Sequence, residues 1–342
     1  MGIIRKPGRR QALVGLAGVS ILTLVPASLR AQMQRATMAY GSTGYTWSTT
    51  FVAEALNTWR DNGVDLRAVD FPTGRDAMQA LLAGSAEFST ATDTPVIFAA
   101  MRGLRPIILV NYSRYSRDMK IVVRKDRGID PARPSSLIGK KIATQLGTSG
   151  QYMLARYCEM AGINIKDLTV VNMAPADMIA ATSRGDIDGF SWTREAAITA
   201  DRQSGGIVAV MTQEGLERYF RSHELLLTSE QVIKERPALL DAAVRSLFAA
   251  ETYMKENRGW PEKIAKRVGN TPDEIREGTD SFEFKIEFDD AFLNDMVTEA
   301  EWAIGAGLIQ RLNEDLRKLF RGLIYEGPVK KYSPERVTLR TA

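Results

Sequence analysis

Along the chain, apolar positions come in short bursts whose spacing alternates between two residues and three to four. Residues 37–40 read as a strand. Residues 48–62 set Phe51, Val52, Ala55, Leu56 and Trp59 on one helical face, which Asn62-Gly63 closes with a left-handed cap. Residues 64–71 alternate as a strand, 76–83 form a helix ending at Gly84, and 86–89 are the next strand. A helix over 96–101 takes Thr92 or Asp93 as its N-cap, and an Ile- and Val-rich strand over 105–112 completes a βαβα run. Beyond the polar residues 125–128 the grammar repeats: strands at 141–144, 168–172, 187–191 and 207–211, with helices at 151–161, 175–184 and from Trp192 to Gln203. Residues 119–124 and 224–228 are β-rich and read as two extended crossings. From 237 onward the pattern is helical, with Leu240, Val244, Leu247 and Glu251 at three- and four-residue spacing. The pattern predicts an α/β fold of two lobes joined by two hinge crossings, with the C-terminal helices packed on lobe 1. Residues 32–122 and 228–320 are assigned to lobe 1, 123–227 to lobe 2, and 321–342 to a surface tail.

Candidate chemistry sits at the corners between strands and helices. Gly41-Ser42-Thr43-Gly44, residues 90–95 and Gly147-Thr148-Ser149-Gly150 each join a predicted strand to a predicted helix. A helix start exposes unpaired N–H groups at the positive end of its dipole, so such a corner can hold an anion. Any one corner is explained by backbone needs alone, since turns favour glycine and polar caps. Three in this order favour a shared site. Tyr45, Trp47, Tyr112 and Trp192 are candidates to line it, whereas Trp59, Trp260 and Trp302 fall mid-helix and read as core. Arg75 and Arg194 follow strand ends, where a guanidinium can grip an acid head group with two bonds or simply stay solvated.

Composition narrows the classes. The 342 residues carry a formal net charge of +4, with basic residues spread along the chain, which argues against a nucleic-acid footprint. One cysteine and one histidine leave no zinc-type cluster and no disulfide; Cys158 reads as a buried thiol and His223 as structural. No cofactor or metal is expected. Ser149 lacks the spacing of a hydrolase elbow, and no covalent chemistry is expected. At the N-terminus, Arg5, Lys6, Arg9 and Arg10 precede an apolar run over 12–27 too short to span a bilayer. Residues 1–31 therefore read as a cleaved signal peptide, with Arg9-Arg10 resembling a twin-arginine signal, and the remainder as an exported soluble protein.

Three stretches together carry a family resemblance: Gly74-Arg75-Asp76 leading to residues 79–88, Ile138–Ala143 followed by the 147–150 corner, and Gly185-Asp186-Ile187-Asp188-Gly189. In this order the chain resembles the periplasmic solute-binding proteins of nitrate, sulfonate and taurine ABC importers, to which the thiamine-precursor binders are related. The resemblance implies a ligand in the interlobe cleft, handed to a membrane permease and its cytoplasmic ATPase, by a protein expected to be a monomer in the periplasm. It also implies a pocket built from Ser42, Tyr45 and Trp47, from Thr92 and Asp93, from Thr148, Ser149 and Gln151, and from Trp192, Arg194 and Glu195. Asp93 and Glu195 depart from an anion-binding pattern: either they cap helices, or the ligand carries an amine as well as an acid. The function implied is capture of a small anionic or zwitterionic solute, without catalysis. Alternatives are an aromatic acid or thiamine-precursor ligand, or a periplasmic sensor or adaptor on the same fold. An enzyme of the pyrimidine-synthase type would need a reactive histidine and iron-linked cysteines, which this sequence lacks.

Overall fold

The computed structural model describes residues 33–41 and 44–340; the expected signal peptide and candidate Ser42 lie outside them. The first sheet has the strands β1 (Gln34–Gly41), β2 (Val64–Phe71), β3 (Phe88–Thr92) and β4 (Ile107–Tyr115). The second has β5 (Met119–Arg124), β6 (Lys141–Thr144), β7 (Thr169–Asn172), β8 (Gly189–Thr193) and β9 (Val208–Val210), and β10 (Ser222–Thr228) returns to the first. Their orders are β2-β1-β3-β10-β4 and β7-β6-β8-β5-β9. In each sheet four strands run parallel to one another, and the strand that arrives directly from the other lobe lies antiparallel between two of them. The two lobes thus share one topology.

This placement moves the hinge. Residues 119–124 and 224–228 were expected to be crossings, yet both are interior strands. The chain passes between sheets at 116–118 and again at 211–221, so the boundaries expected at 122/123 and 227/228 cut through β5 and β10. The physical reason lies in β10. A strand paired on both sides and covered on both faces must be buried throughout, and even the polar Ser222, His223 and Glu224 are buried.

The helix expected over 48–62 is two helices, Ser48–Ala55 and Thr58–Asp61. Asn57 adopts a left-handed φ of 60° between them, a conformation Asn tolerates. The break lets Thr58 Oγ1 donate to Ser246 O at 3.1 Å on the long helix Pro237–Glu256. Residues 321–340 are not a surface tail. Leu323, Ile324 and Val329 are buried in the core of the first lobe, Tyr325 N–H donates to Ile108 O at 2.9 Å, and Arg336 donates to the buried Glu251 at 2.8 Å. Lysines and prolines made this segment read as solvated, while its apolar positions dock beside β4.

Because Leu323 is 1% exposed within that core, Leu323→Ala is expected to cost about 2–5 kcal/mol, the range for emptying a buried leucine site. Urea unfolding followed by circular dichroism checks it; a loss under about 0.5 kcal/mol, the range of surface substitutions, would mean that the C-terminal segment is dispensable.

Candidate functional site

A narrow cleft with a cavity volume of about 50 Å³, continuous with solvent, lies at the seam between the two sheets. Four helices begin on it: Gly74–Leu82, Asp93–Ala100, Ser149–Met160 and Arg194–Ser204, with N-caps Thr73, Thr92, Thr148 and Thr193 all in its wall. Each follows a strand (β2, β3, β6 and β8), so the carboxyl edges of both sheets deliver helix starts to one place. Two starts are capped, since Thr73 Oγ1 accepts from Asp76 N–H at 3.3 Å and Thr193 Oγ1 from Ala196 N–H at 3.4 Å. Thr92 and Thr148 make no such bond, and their hydroxyls turn elsewhere. Close backbone approach explains the glycines. A Cβ at Gly41 would strike the backbone of Thr73 and Gly74, and one at Gly150 would meet Thr144 Oγ1 at 2.7 Å and the Trp192 ring at 2.8 Å.

Trp47 and Trp192 wall the cleft from opposite lobes. Both are buried, and neither indole N–H has a hydrogen-bond partner among the described residues. A buried donor without a partner costs about 1–3 kcal/mol. Arg75 is the one charged residue among those described in the wall, and its Nη1 donates across the seam to Leu146 O at 2.6 Å. Ser149 Oγ also crosses, donating to Thr92 Oγ1 at 2.8 Å.

Of the residues singled out from sequence, the cleft brings together Trp47, Arg75, Thr92, Thr148, Ser149 and Trp192. The other candidates among the described residues lie outside its wall. Tyr112 is fully buried on β4 in the first core, and Gln151 Oε1 accepts the Gly147 N–H at 2.8 Å in an outer groove. Asp93 Oδ1 accepts from Ser222 Oγ at 2.9 Å in the interior. Arg194 pairs with Glu277 and donates to its carbonyl at 3.2 Å. Tyr45 donates to Asp118 at 3.2 Å beneath the wall, and Glu195 lies against Gly44. Sequence reasoning missed Thr46, Thr73, Tyr115, Met119 and Thr193. Thr73 and Thr193 carry a readable signal, a threonine three residues before a first-turn acidic or small residue. Tyr115 and Met119 flank the true crossing, which no local pattern marks.

Three acids sit next to wall residues without lining the cleft: Asp118 beside Met119, Glu195 two residues after Thr193, and Glu224. Burial pushes the Asp118 carboxyl up to about 6, against the pull of Lys120 and the Tyr45 hydroxyl. Burial first, and then the nearby Asp118, push Glu195 up to about 7. Glu224 on β10, opposite Thr92, is held well above the carboxylate range by burial, and neither of its oxygens has a partner among the described residues. Each raised acid binds its proton more tightly folded than unfolded. Its contribution to stability is full below about pH 4 and is lost as pH rises through about 6 for Asp118 and about 7 for Glu195. The unliganded protein is therefore expected to melt at lower temperature at pH 8 than at pH 5.5, with Glu195→Gln flattening the upper part of that slope. Melting curves between pH 5 and 8 check this, and an unchanged slope in Glu195→Gln would remove Glu195 as a source.

Residues 46–259 match the model of the NMT1/THI5-like family. The chain is 25% identical over 254 residues to the taurine-binding periplasmic protein of Escherichia coli, covering 72% of this chain and 76% of that protein. Its fold matches that of the alkanesulfonate-binding protein SsuA from Xanthomonas axonopodis pv. citri bound to MOPS, with a TM-score of 0.71 at 20% identity over 85% of this chain and 98% of SsuA. It also matches the periplasmic nitrate-binding protein NrtA from Synechocystis PCC 6803, with a TM-score of 0.70 at 13% identity over 89% of each. With more than half of its length matched by the family model, and with two five-stranded lobes meeting at a cleft, the chain belongs to the NMT1/THI5-like family and has the periplasmic binding protein fold.

Proposed function

We propose that this chain is an exported solute-binding protein that captures a small organic anion, a sulfonate or a taurine-like zwitterion, and presents it to an ABC import permease without altering it. The observation that carries the reading is the gathering of four helix starts on one cleft, with Thr148 making no capping bond, beside Arg75 and two tryptophans whose indole N–H groups lack partners among the described residues. The relatives named for taurine and alkanesulfonate binding support the same class. Two helix starts at about 0.3–2 kcal/mol each fall short of even millimolar binding, which takes about 4 kcal/mol. The remainder must come from Arg75 and from the indole donors and faces. Such a site needs acceptor oxygens with a compact substituent. The paired tryptophans also accommodate an aromatic acid, the second reading. Glu195 and Asp118 at the flank are the groups that would receive an amine.

Thermal melting against taurine, ethanesulfonate, nitrate, benzoate and thiamine precursors tests this. A sulfonate at a hundredfold excess over its Kd is expected to add about 2.7 kcal/mol of stability, because ligand binds only the folded state. Trp192→Ala is expected to weaken that binding at least tenfold, about 1.4 kcal/mol. A shift with benzoate alone would favour the aromatic-acid reading, and no shift with any anion would overturn the assignment.

A further inference from the structure

Beside the cleft lies a second and larger space. The outer groove has a volume of about 370 Å³, continuous with solvent, against about 50 Å³ for the cleft. At about 10–15 Å³ per water-sized group, the cleft takes about four, the size of a sulfonate head group and little more. Whatever follows the head group must leave the cleft, and the two spaces share Arg75 and Pro95 in their walls.

Two of the helices that start on the cleft wall the groove along one face each. Arg75, Met78, Gln79 and Leu82 recur at three- and four-residue spacing on Gly74–Leu82. Pro95, Phe98 and Ala99 do so on Asp93–Ala100, with Arg102 just past its end. Seven residues of helix make a wall of about 10 Å. Leu104, Leu308 and, from the second lobe, Leu146 add to it. These are three of the eight large apolar side chains left exposed among the described residues, so the patch is a gathering and not scatter. The groove is apolar between two cations. Arg75 stands at the cleft end, and Arg102 stands a helix length away with its Cζ 5.8 Å over the Phe98 ring. No acid lines the groove, and neither arginine has an acidic partner among the described residues, whereas neighbouring Arg105 pairs with Glu230 at 2.7 Å.

We propose that the outer groove is a second subsite of the anion site, shaped for an elongated dianion: one acid in the cleft at Arg75, an apolar span along the two helix faces, and a second acid at Arg102. The subsite rests on the anion reading above for its head group and names the class of molecule that carries it. The substituent is held compact only within the cleft; beyond Arg75 there is room. With carbon–carbon bonds of about 1.5 Å in a zigzag, about eight carbons span the groove. Arg75 serves both parts, since its Nη1 donates to Leu146 O at 2.6 Å and leaves its other nitrogens for the head group.

The test is calorimetric affinity of the full exported chain for four probes: ethanesulfonate, octanesulfonate, an octane chain sulfonated at both ends, and ethane sulfonated at both ends, a dianion too short to reach Arg102. A methylene half-buried in an open groove tightens binding about twofold, so octanesulfonate is expected to bind about sixtyfold tighter than ethanesulfonate. A second sulfonate on the octane chain is expected to add about threefold, the worth of an exposed ion pair, and on ethane to add nothing. Arg102→Gln should remove that threefold and keep the gain from chain length, whereas Leu308→Ser should lower the octane-to-ethane ratio. If the long dianion binds no tighter than octanesulfonate, keeps its advantage in Arg102→Gln, or gains no more than the short dianion does, the second acid site is wrong. If ethanesulfonate binds and the octane chain adds nothing, the groove is not ligand space and is left to a partner protein. If none of the four binds, the anion reading falls and the subsite falls with it.

Discussion

A helix cannot satisfy the N–H groups of its own first turn, and this fold brings four such starts to one seam. The cause is the strand order. Four strands of each sheet run in one direction, so their carboxyl ends emerge on the same edge, and the connections from β2, β3, β6 and β8 into helices begin there. Stacking two copies of that topology edge to edge brings helix starts from both sides within hydrogen-bonding reach, as the 2.8 Å contact from Ser149 to Thr92 demonstrates. The cleft is therefore a consequence of topology before any side chain is chosen. Side chains decide which starts are closed by their own threonine and which stay open.

Buried polarity follows from the same arrangement. Strands that end at a polar seam carry polar residues into positions that the packing covers, which accounts for Ser222, His223 and Glu224 at the start of β10 and Asp118 at the crossing. Each has a different resolution. Ser222 finds Asp93, His223 pairs with Asp295 at 2.9 Å, Asp118 takes the Tyr45 hydroxyl, and Glu224 keeps its proton. An ionised acid beside an anion site would oppose the helix dipoles at short range, where the interior screens little. Burial favours the neutral form of Glu224, which reduces that opposition.

Periodicity made most of the fold legible: strand 64–71, the long helix Pro237–Glu256 and the corner at 147–150 were all readable from spacing and glycine placement. Where the pattern failed, burial had overridden local character. The β-rich stretch 224–228 gave no sign that it lies inside a sheet, Asn57 hid a helix break, and the lysines of 328–331 hid the buried Val329. The site was legible to the extent that it consists of helix starts, because N-cap chemistry is local. Tyr112, Arg194 and Asp93 could not be placed from sequence, since the face a residue takes depends on which strand or helix comes to lie against it. Tyr112 faces the core, Arg194 turns to Glu277 on Pro272–Gly278, and Asp93 turns inward to Ser222.

The residues that carry the family resemblance and the residues that line the cleft overlap only in part, and the difference has a physical basis. Gly189 is needed because β8 passes so close to β5 that a Cβ would strike Val122 O. Gly185 ends a helix at a left-handed φ of 89°, and Asp188 accepts the Lys141 N–H at 2.8 Å to join β8 to β6. These residues hold the second lobe together and touch no ligand space. The cleft wall, by contrast, is mostly threonine, tryptophan and backbone. A substitution at Gly189 would disturb the sheet alone, whereas wall residues such as Trp192 and Met119 are also core residues of the second lobe. Shared architecture leaves the solute open, and the wall of the cleft decides it.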